Sequence, residues 1–311
     1  MADVKRAIAS VCARETPEDS PRRAWKCWQG LAGFAIHRRS SWMARVLRVR
    51  WFFICTGAAP SAPPLAGLED AGYLTYRTVF ALERPPASLI VLGDGAVGVE
   101  LAQALSRLGS MVTLVELAER LVPAADHEAS DLMAGVLAGE GIQLHLGAGV
   151  DRVRRRGSSV VVEAGGRMLE ADELPVATGR KLWTEGLGLV RAGVAVDRGA
   201  IRVDARLRTS AAGIFAAGDV TGGLQFTHYA GWQGYAAARN ALFPGAVDGV
   251  RSGLPWTIFT YPAIGQVGNT LAEARERNPQ AIEPRPRGPR SSATAARSFW
   301  VPRWSRRRPG G

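Results

Sequence analysis

The chain has 311 residues, 47% of them hydrophobic, enough to bury a core over two domains, and no apolar run is long enough to span a bilayer. Its net charge of +11 suggests a nucleic-acid binder until the charge is located. Residues 22–50 carry eight Lys/Arg and no acid, residues 278–311 carry eight Arg against Glu283, and the remainder is net −4, so the folded part is mildly acidic.

In chain order, Val4, Ile8 and Val11 fall at helical spacing and predict a helix over 2–14, ending before Thr16-Pro17. The basic segment 22–50 shows neither helix nor strand periodicity over a useful length, and nor does the Arg/Pro/Ser/Gly tail. Together the two hold five of the nine tryptophans: Trp25, Trp28, Trp42, Trp300 and Trp304. Three readings are open for them: a basic arm for nucleic acid or membrane, a natural disordered tail, or out-of-frame translation of a GC-rich gene. Cys12, Cys27 and Cys55 form no CxxC, no CxxxxC and no metal spacing, which reads as incidental thiols in a reducing cytosol. No signal peptide is recognisable, and a soluble cytoplasmic protein is expected.

Trp51-Phe-Phe-Ile-Cys-Thr-Gly57 reads as a buried strand ending in a turn, and Pro85-Pro86 marks a boundary. Immediately after it, Leu89-Ile-Val-Leu-Gly93-Asp-Gly95-Ala96-Val97-Gly98 runs an apolar strand into a GxGxxG turn and a helix. Val97, Leu101, Leu105 and Leu108 give that helix its stripe, and Gly109 stops it. A second apolar run, Val112–Val115, closes on Glu116, 18 residues after Gly98. Strand, turn, helix, strand and acid together describe a βαβ dinucleotide site. Gly93 permits the turn, Gly95 lets backbone approach a pyrophosphate, and Gly98 lets helix and strand pack closely, with the phosphates on the helix N-terminus. A carboxylate at 116 can accept the hydrogen bonds of an adenosine ribose. A glycine-rich turn that binds nothing is the plainer alternative.

Further along, a helix over Asp126–Gly139 with Asp126 as N-cap is predicted, then short strands at 142–147, 150–154 and 159–163. Glu173–Gly179 is another strand-to-glycine turn, with Pro175 unexpected in a central strand. Gly213-Ile-Phe-Ala-Ala-Gly218-Asp219 is a short apolar run that delivers a carboxylate to a strand's C-terminal edge. The helix over Thr227–Phe243 carries small residues at Ala230, Gly234, Ala237 and Ala241, which serve either helix–sheet contact or a ligand. His37, His127, His145 and His228 lie in no acid-partnered motif and read as structural or surface residues.

Taken in order, Thr56-Gly57-Ala58-x-Pro60, Gly93–Glu100, Ala177-Thr-Gly-Arg180 and Gly213–Asp219 resemble the flavin-dependent pyridine nucleotide-disulfide oxidoreductases, the family of dihydrolipoamide dehydrogenase, glutathione reductase and mercuric reductase. Glu100–Ser110 looks most like the mercuric reductase branch. The resemblance covers 51–277 and weakly 1–21. It implies an α/β fold: a Rossmann-like NAD(P)-binding domain at 87–205 inserted in an incomplete FAD-binding domain. Residues 1–21, 51–86 and 206–250 would be pieces of that FAD domain, and 254–277 the start of a C-terminal dimerisation domain. Residues 22–50 and 278–311 stay outside the pattern, the latter expected to be disordered.

By resemblance, Gly93, Gly95, Ala96, Val97, Gly98 and Glu116 would hold the nucleotide, Glu100 would lie toward the nicotinamide, and Gly179 would line the same cleft. Thr56 and Gly57 would border FAD, Gly218 and Asp219 would meet the flavin and its ribityl chain, and the 227–243 helix would start against the isoalloxazine. Glu116 repels a 2′-phosphate and Leu117 offers no arginine for one, so NADH is expected over NADPH. The resemblance also implies parts that this sequence does not show: a second GxGxxG for FAD, a redox Cys-x-x-x-x-Cys pair and a His-Glu pair donated across a homodimer. Tyr261 stands where an acid is usual beside the proline. The expectation is an oxidoreductase by family that binds FAD weakly and is catalytically impaired, a fragment with its dimer interface largely missing. The competing reading is a non-catalytic nucleotide-binding module whose basic segments contact nucleic acid or a partner protein.

Overall fold

The computed structural model describes residues 1–12, 30–36, 39–42, 45–250 and 255–277. The expectations placed on Thr16-Pro17, Cys27, His37 and the 278–311 tail lie outside those residues. The chain folds as two compact units. Among the described residues, one takes 1–8, 60–179 and 255–277, and the other 9–12, 30–36, 39–42, 45–59 and 180–250.

Helix α1 spans Ala2–Cys12. Strands β1 (Ala32–Ile36), β2 (Arg39–Trp42) and β3 (Arg45–Arg48) then form an antiparallel meander. Strands therefore form in part of 22–50, where the sequence shows no strand periodicity over a useful length. Phe34 is buried and meets Phe52 edge-on at 5.1 Å, while its N–H donates to the Leu187 carbonyl at 2.7 Å. A buried Phe34 between half-buried Gly33 and Ala35 is too short a run to show a period.

Strand β4 (Phe52–Ile54) is followed by β5 (Ala58–Pro60) and the one-turn helix α2 (Leu68–Ala71). Next, β6 (Ser88–Leu92) leads into helix α3 (Ala96–Arg107) and β7 (Met111–Val115). Helix α4 (His127–Gly139) and β8 (Gln143–His145) complete a parallel sheet in the order β6-β7-β8. Leu89, Ile90, Val91 and Leu92 are each at most 1% exposed, as expected for a strand covered on both faces. Of the stripe predicted on α3, Leu101 and Leu105 are buried and Leu108 is exposed beyond the helix end, where Gly109 turns at φ 100°.

Pro175 does lie inside the parallel arrangement. Ile90 and Leu92 donate to the Glu173 and Pro175 carbonyls, Ala177 donates back to Leu92, and on the other side Leu74 and Val176 bond each other's strand. The donor due between them would come from residue 175, and proline has none, so the pairing survives as separate bridges and not as a continuous strand.

An antiparallel sheet, β9 (Val150–Arg156), β10 (Ser159–Ala164) and β11 (Arg167–Ala171), completes the first unit's middle section. In the second unit β12 (Arg180–Leu182), the small hairpin β13 (Val196–Asp197) and β14 (Ala200–Ile201), and β15 (Ile214–Ala216) lead to α5 (Thr227–Leu242). Strand β15 pairs in parallel with β4, Ile214 opposite Phe52 and Ala216 opposite Ile54, so distant segments build one sheet. The hairpin β16 (Trp256–Ile258) and β17 (Ile264–Gln266), then α6 (Leu271–Arg277), return to the first unit. No described helix is long and apolar enough to cross a membrane.

Asp126 occupies the N-cap position of α4, but its side chain caps nothing there. Its Oδ1 instead accepts the Leu271 N–H at 2.8 Å, holding the start of α6.

Candidate functional site

The first unit concentrates its chemistry where β6 turns into α3. Gly93 leaves the strand at φ 103°, and a Cβ there would lie 2.6 Å from the Ala177 carbonyl oxygen. Only glycine fits both the angle and the space. Gly95 is the N-cap of α3 and makes no side-chain cap, so Ala96, Val97 and Gly98 open a helix whose first turn has no N-cap side chain bonded to it. A Cβ on Gly95 would meet no atom within 4 Å. Gly98 is the opposite case: a Cβ would fall 1.9 Å from the Gly93 carbonyl oxygen, so loop and helix touch backbone to backbone.

Glu116 follows β7 and stands beside this loop. Its Oε2 accepts the Asp94 N–H at 3.1 Å and its Oε1 accepts the Ala118 N–H at 2.9 Å. Leu117 is exposed, and Arg120 is committed to the Ala125 and Pro123 carbonyls at 3.0 and 2.7 Å. The arrangement presents an uncapped helix start for phosphate and, next to it, a carboxylate held by two backbone donors for a vicinal diol. Glu100 lies one turn into α3, where its Oε1 accepts the Phe259 N–H at 2.8 Å. The Gly179 carbonyl accepts the Ser61 N–H at 3.0 Å.

Sequence reasoning passed over Asp94. It is 5% exposed, and its carboxyl is pushed up to about 7 by burial first, then by the charge of Glu116 and a hydrogen bond to it. The signal was a charged residue between the first two glycines of the loop, where burial cannot be read from spacing. It also passed over Gln103 and Arg107, which with Glu100 form a polar series on one side of α3. Gln103 is buried and donates to Glu140 Oε1 at 3.0 Å and the Tyr261 carbonyl at 2.8 Å, and its Oε1 accepts the Tyr261 N–H at 2.7 Å.

The second unit gathers Thr56, Gly57, Arg180, Gly218 and Asp219. Thr56 Oγ1 donates to the Trp183 carbonyl at 2.7 Å, and Trp183 N–H donates to the Gly57 carbonyl at 3.0 Å. Gly218, at φ 82°, donates its N–H to Gln233 Oε1 at 2.8 Å. Asp219 is engaged: Arg180 Nη1 donates to its Oδ2 at 2.9 Å and also to the Gln225 carbonyl at 3.0 Å. Arg180 closes the Ala177-Thr-Gly-Arg180 motif, and its pairing with Asp219 joins two motifs read separately in the sequence. A cleft of about 880 Å³ in this unit, lined by Trp51, Arg202, Asp204, Arg208, Phe215 and Asn240 among others, contains none of the predicted site residues.

His127 and His228 are exposed, and His145 has its protonation disfavoured by burial and then by Arg167. Among the described residues no cluster of His, Cys, Asp and Glu could hold a metal ion.

Comparison with known proteins gives a consistent result. The sequence family described as pyridine nucleotide-disulphide oxidoreductase matches residues 35–234. The match starts ahead of Trp51, where the sequence motifs begin, and so takes in most of the β1–β3 meander. A mercuric reductase of Bacillus cereus is 41% identical over 232 residues, covering 73% of this chain and 37% of that protein. A dihydrolipoyl dehydrogenase of Thermus scotoductus is 39% identical over 259 residues, covering 80% and 55%. The HOCl-induced flavoprotein disulfide reductase RclA from Escherichia coli superposes with a TM-score of 0.81 at 32% identity, covering 88% of this chain and 64% of that one. The chain thus spans 37% to 55% of the length of these two sequence relatives.

Proposed function

Because the chain belongs to the pyridine nucleotide-disulphide oxidoreductase family, we propose that the Gly93–Gly98 loop and Glu116 of the first unit form its nicotinamide-nucleotide site, the part of the expected 87–205 domain that lies in that unit, and that this site takes NADH in preference to NADPH. The observation that carries this reading is the Gly93–Gly98 loop with Glu116 against it, Oε2 on the Asp94 N–H at 3.1 Å. Gly93, Gly95, Ala96, Val97 and Gly98 would hold the pyrophosphate, and Glu116 the adenosine ribose. A 2′-phosphate would meet the Glu116 carboxylate with no arginine at 117, and Arg120 already bonded elsewhere. Fluorescence titration should give a Kd for NADPH at least ~10-fold above that for NADH, since a like-charge contact costs a kcal/mol or more. Glu116→Gln should narrow the gap. Equal affinities in the wild-type protein would defeat the assignment.

The family also implies FAD, which when bound accepts hydride from reduced nicotinamide. Thr56, Gly57, Gly218 and Asp219 are the residues that would face it. Open space beside Gly57 supports the fit, while the Arg180–Asp219 ion pair would have to share its carboxylate. The 311 residues contain a single GxGxxG, so the grip on FAD is proposed to be weak. They also contain no Cys-x-x-x-x-Cys, and Cys55 is exposed and free. On that basis this polypeptide alone is proposed to bind nucleotide without reducing a disulfide or a thiolate-bound metal ion. NADH-dependent reduction of either by the purified chain would overturn that part.

A further inference from the structure

Asp94 is buried to 95%, and its Oδ2 has no hydrogen-bonding partner among the described residues. Its carboxyl lies within hydrogen-bonding reach of that of Glu116, while its own N–H already donates to Glu116 Oε2. Two carboxylates this close disfavour each other's charge, so the more deeply buried one keeps its proton to higher pH. The surroundings decide which one keeps the proton. Both Glu116 oxygens accept backbone N–H groups, whereas Asp94 is 5% exposed with Oδ2 unpartnered among the described residues, and its burial outweighs the backbone groups of Asp94 and Val122 that favour its anion.

Resting on the dinucleotide reading above, we propose that Asp94 is a positioning residue for the ribose-binding carboxylate: protonated, it donates its hydroxyl to Glu116 and holds that anion in place for the adenosine diol. Loss of the proton sets two charges side by side, pushes Glu116 from its backbone donors and weakens nucleotide binding. Among the described residues no neighbouring cation is aimed at the second charge. Strand β6 is uncharged from Ser88 to Leu92, and Glu100 on α3 accepts the Phe259 N–H. On the loop after β7, Glu119 lies toward Gly147, Arg120 is bonded to carbonyls, and Asp126 accepts the Leu271 N–H. On β8, the charged form of His145 is disfavoured.

The sign follows from linkage. A carboxyl raised to about 7 in the folded chain binds more protons there than in the unfolded chain. Its contribution to stability is therefore complete below the unfolded value near 4 and is lost as pH rises through about 7. The test compares wild type with Asp94→Asn, whose amide can donate to Glu116 at any pH. NADH affinity is measured by fluorescence from pH 6 to 8.5, and melting temperature over the same range without nucleotide. The expected wild-type Kd rises about 10-fold across the range while that of Asp94→Asn stays level. Without nucleotide, the wild-type melting temperature should fall relative to the variant as pH rises. Equal pH profiles for the two proteins in both measurements would overturn the role of Asp94. NADH binding with equal steepness in both overturns it alone and leaves the dinucleotide reading standing. Absence of NADH binding at every pH overturns the dinucleotide reading and the ribose role with it.

Discussion

Gly98→Ala is expected to damage folding and nucleotide binding together, whereas Gly95→Ala should damage binding alone. At position 98 the new Cβ would lie 1.9 Å from the Gly93 oxygen and 2.8 Å from its carbonyl carbon, both backbone atoms that cannot swing away. Nor can Gly93 retreat. Its φ is 103°, its N–H is bonded to the Val115 carbonyl at 3.0 Å, and Ala177 closes its other side. The N-terminus of α3 must therefore move off β6. Overpacking of this kind costs about 1–3 kcal/mol or more, which lowers the melting temperature by ~2–4 °C per kcal/mol in a chain of this size. The same movement misplaces the helix start, so NADH affinity should fall by at least ~10-fold. At position 95 φ is −62° and a Cβ meets nothing within 4 Å, so alanine is tolerated by the protein itself. The methyl would occupy the space through which a pyrophosphate approaches. Differential scanning calorimetry and NADH titration on the two variants separate the effects. An unchanged melting temperature for Gly98→Ala, or unchanged affinity for Gly95→Ala, would refute the division of labour within the loop.

The turn at Gly93 and its contact with Gly98 were legible in the sequence because both answer to geometry within five residues. The same locality made β6, α3, β7, α4 and β15 legible. What escaped depends on partners far along the chain. Asp126 has the residue type and position of an N-cap, yet its carboxylate serves Leu271, 145 residues away. Pro175 argues against a central strand, yet neighbours on both sides bond around its missing donor. Phe34 of β1 meets Phe52 and bonds the Leu187 carbonyl, and nothing in 32–48 alone foretells that contact. Asp94 was hidden for a different reason. Spacing marks where a loop turns, not which of its side chains faces inward, and its meaning arises only once Glu116 is placed beside it.

The polar side of α3 yields the last expected result, Gln103→Leu. A leucine keeps the bulk of the side chain and removes its amide, so packing is nearly conserved and hydrogen bonding is not. Wild-type Gln103 gives both its donor contacts and its acceptor to three partners: Glu140 Oε1, the Tyr261 carbonyl and the Tyr261 N–H. Arg107 can cover part of the loss. It already bonds both Glu140 oxygens and the Tyr261 carbonyl, and its guanidinium lies 5.2 Å from the Tyr261 ring centroid. It has no acceptor to offer, so the Tyr261 N–H is left without its partner. A part-buried donor abandoned in this way costs about 1–3 kcal/mol. The loss is local, because the hairpin β16–β17 is held to α3 at few other points, Phe259 N–H on Glu100 being one. Hydrogen exchange at Tyr261 should therefore accelerate by roughly 10- to 100-fold while the β6 amides keep their protection. Glu100, Gln103 and Arg107 are spaced three and four apart, which puts them on one face of α3 as a clasp for the returning segment. Exchange at Tyr261 unchanged by the substitution would mean that the clasp is carried by Arg107 and Glu100 without Gln103.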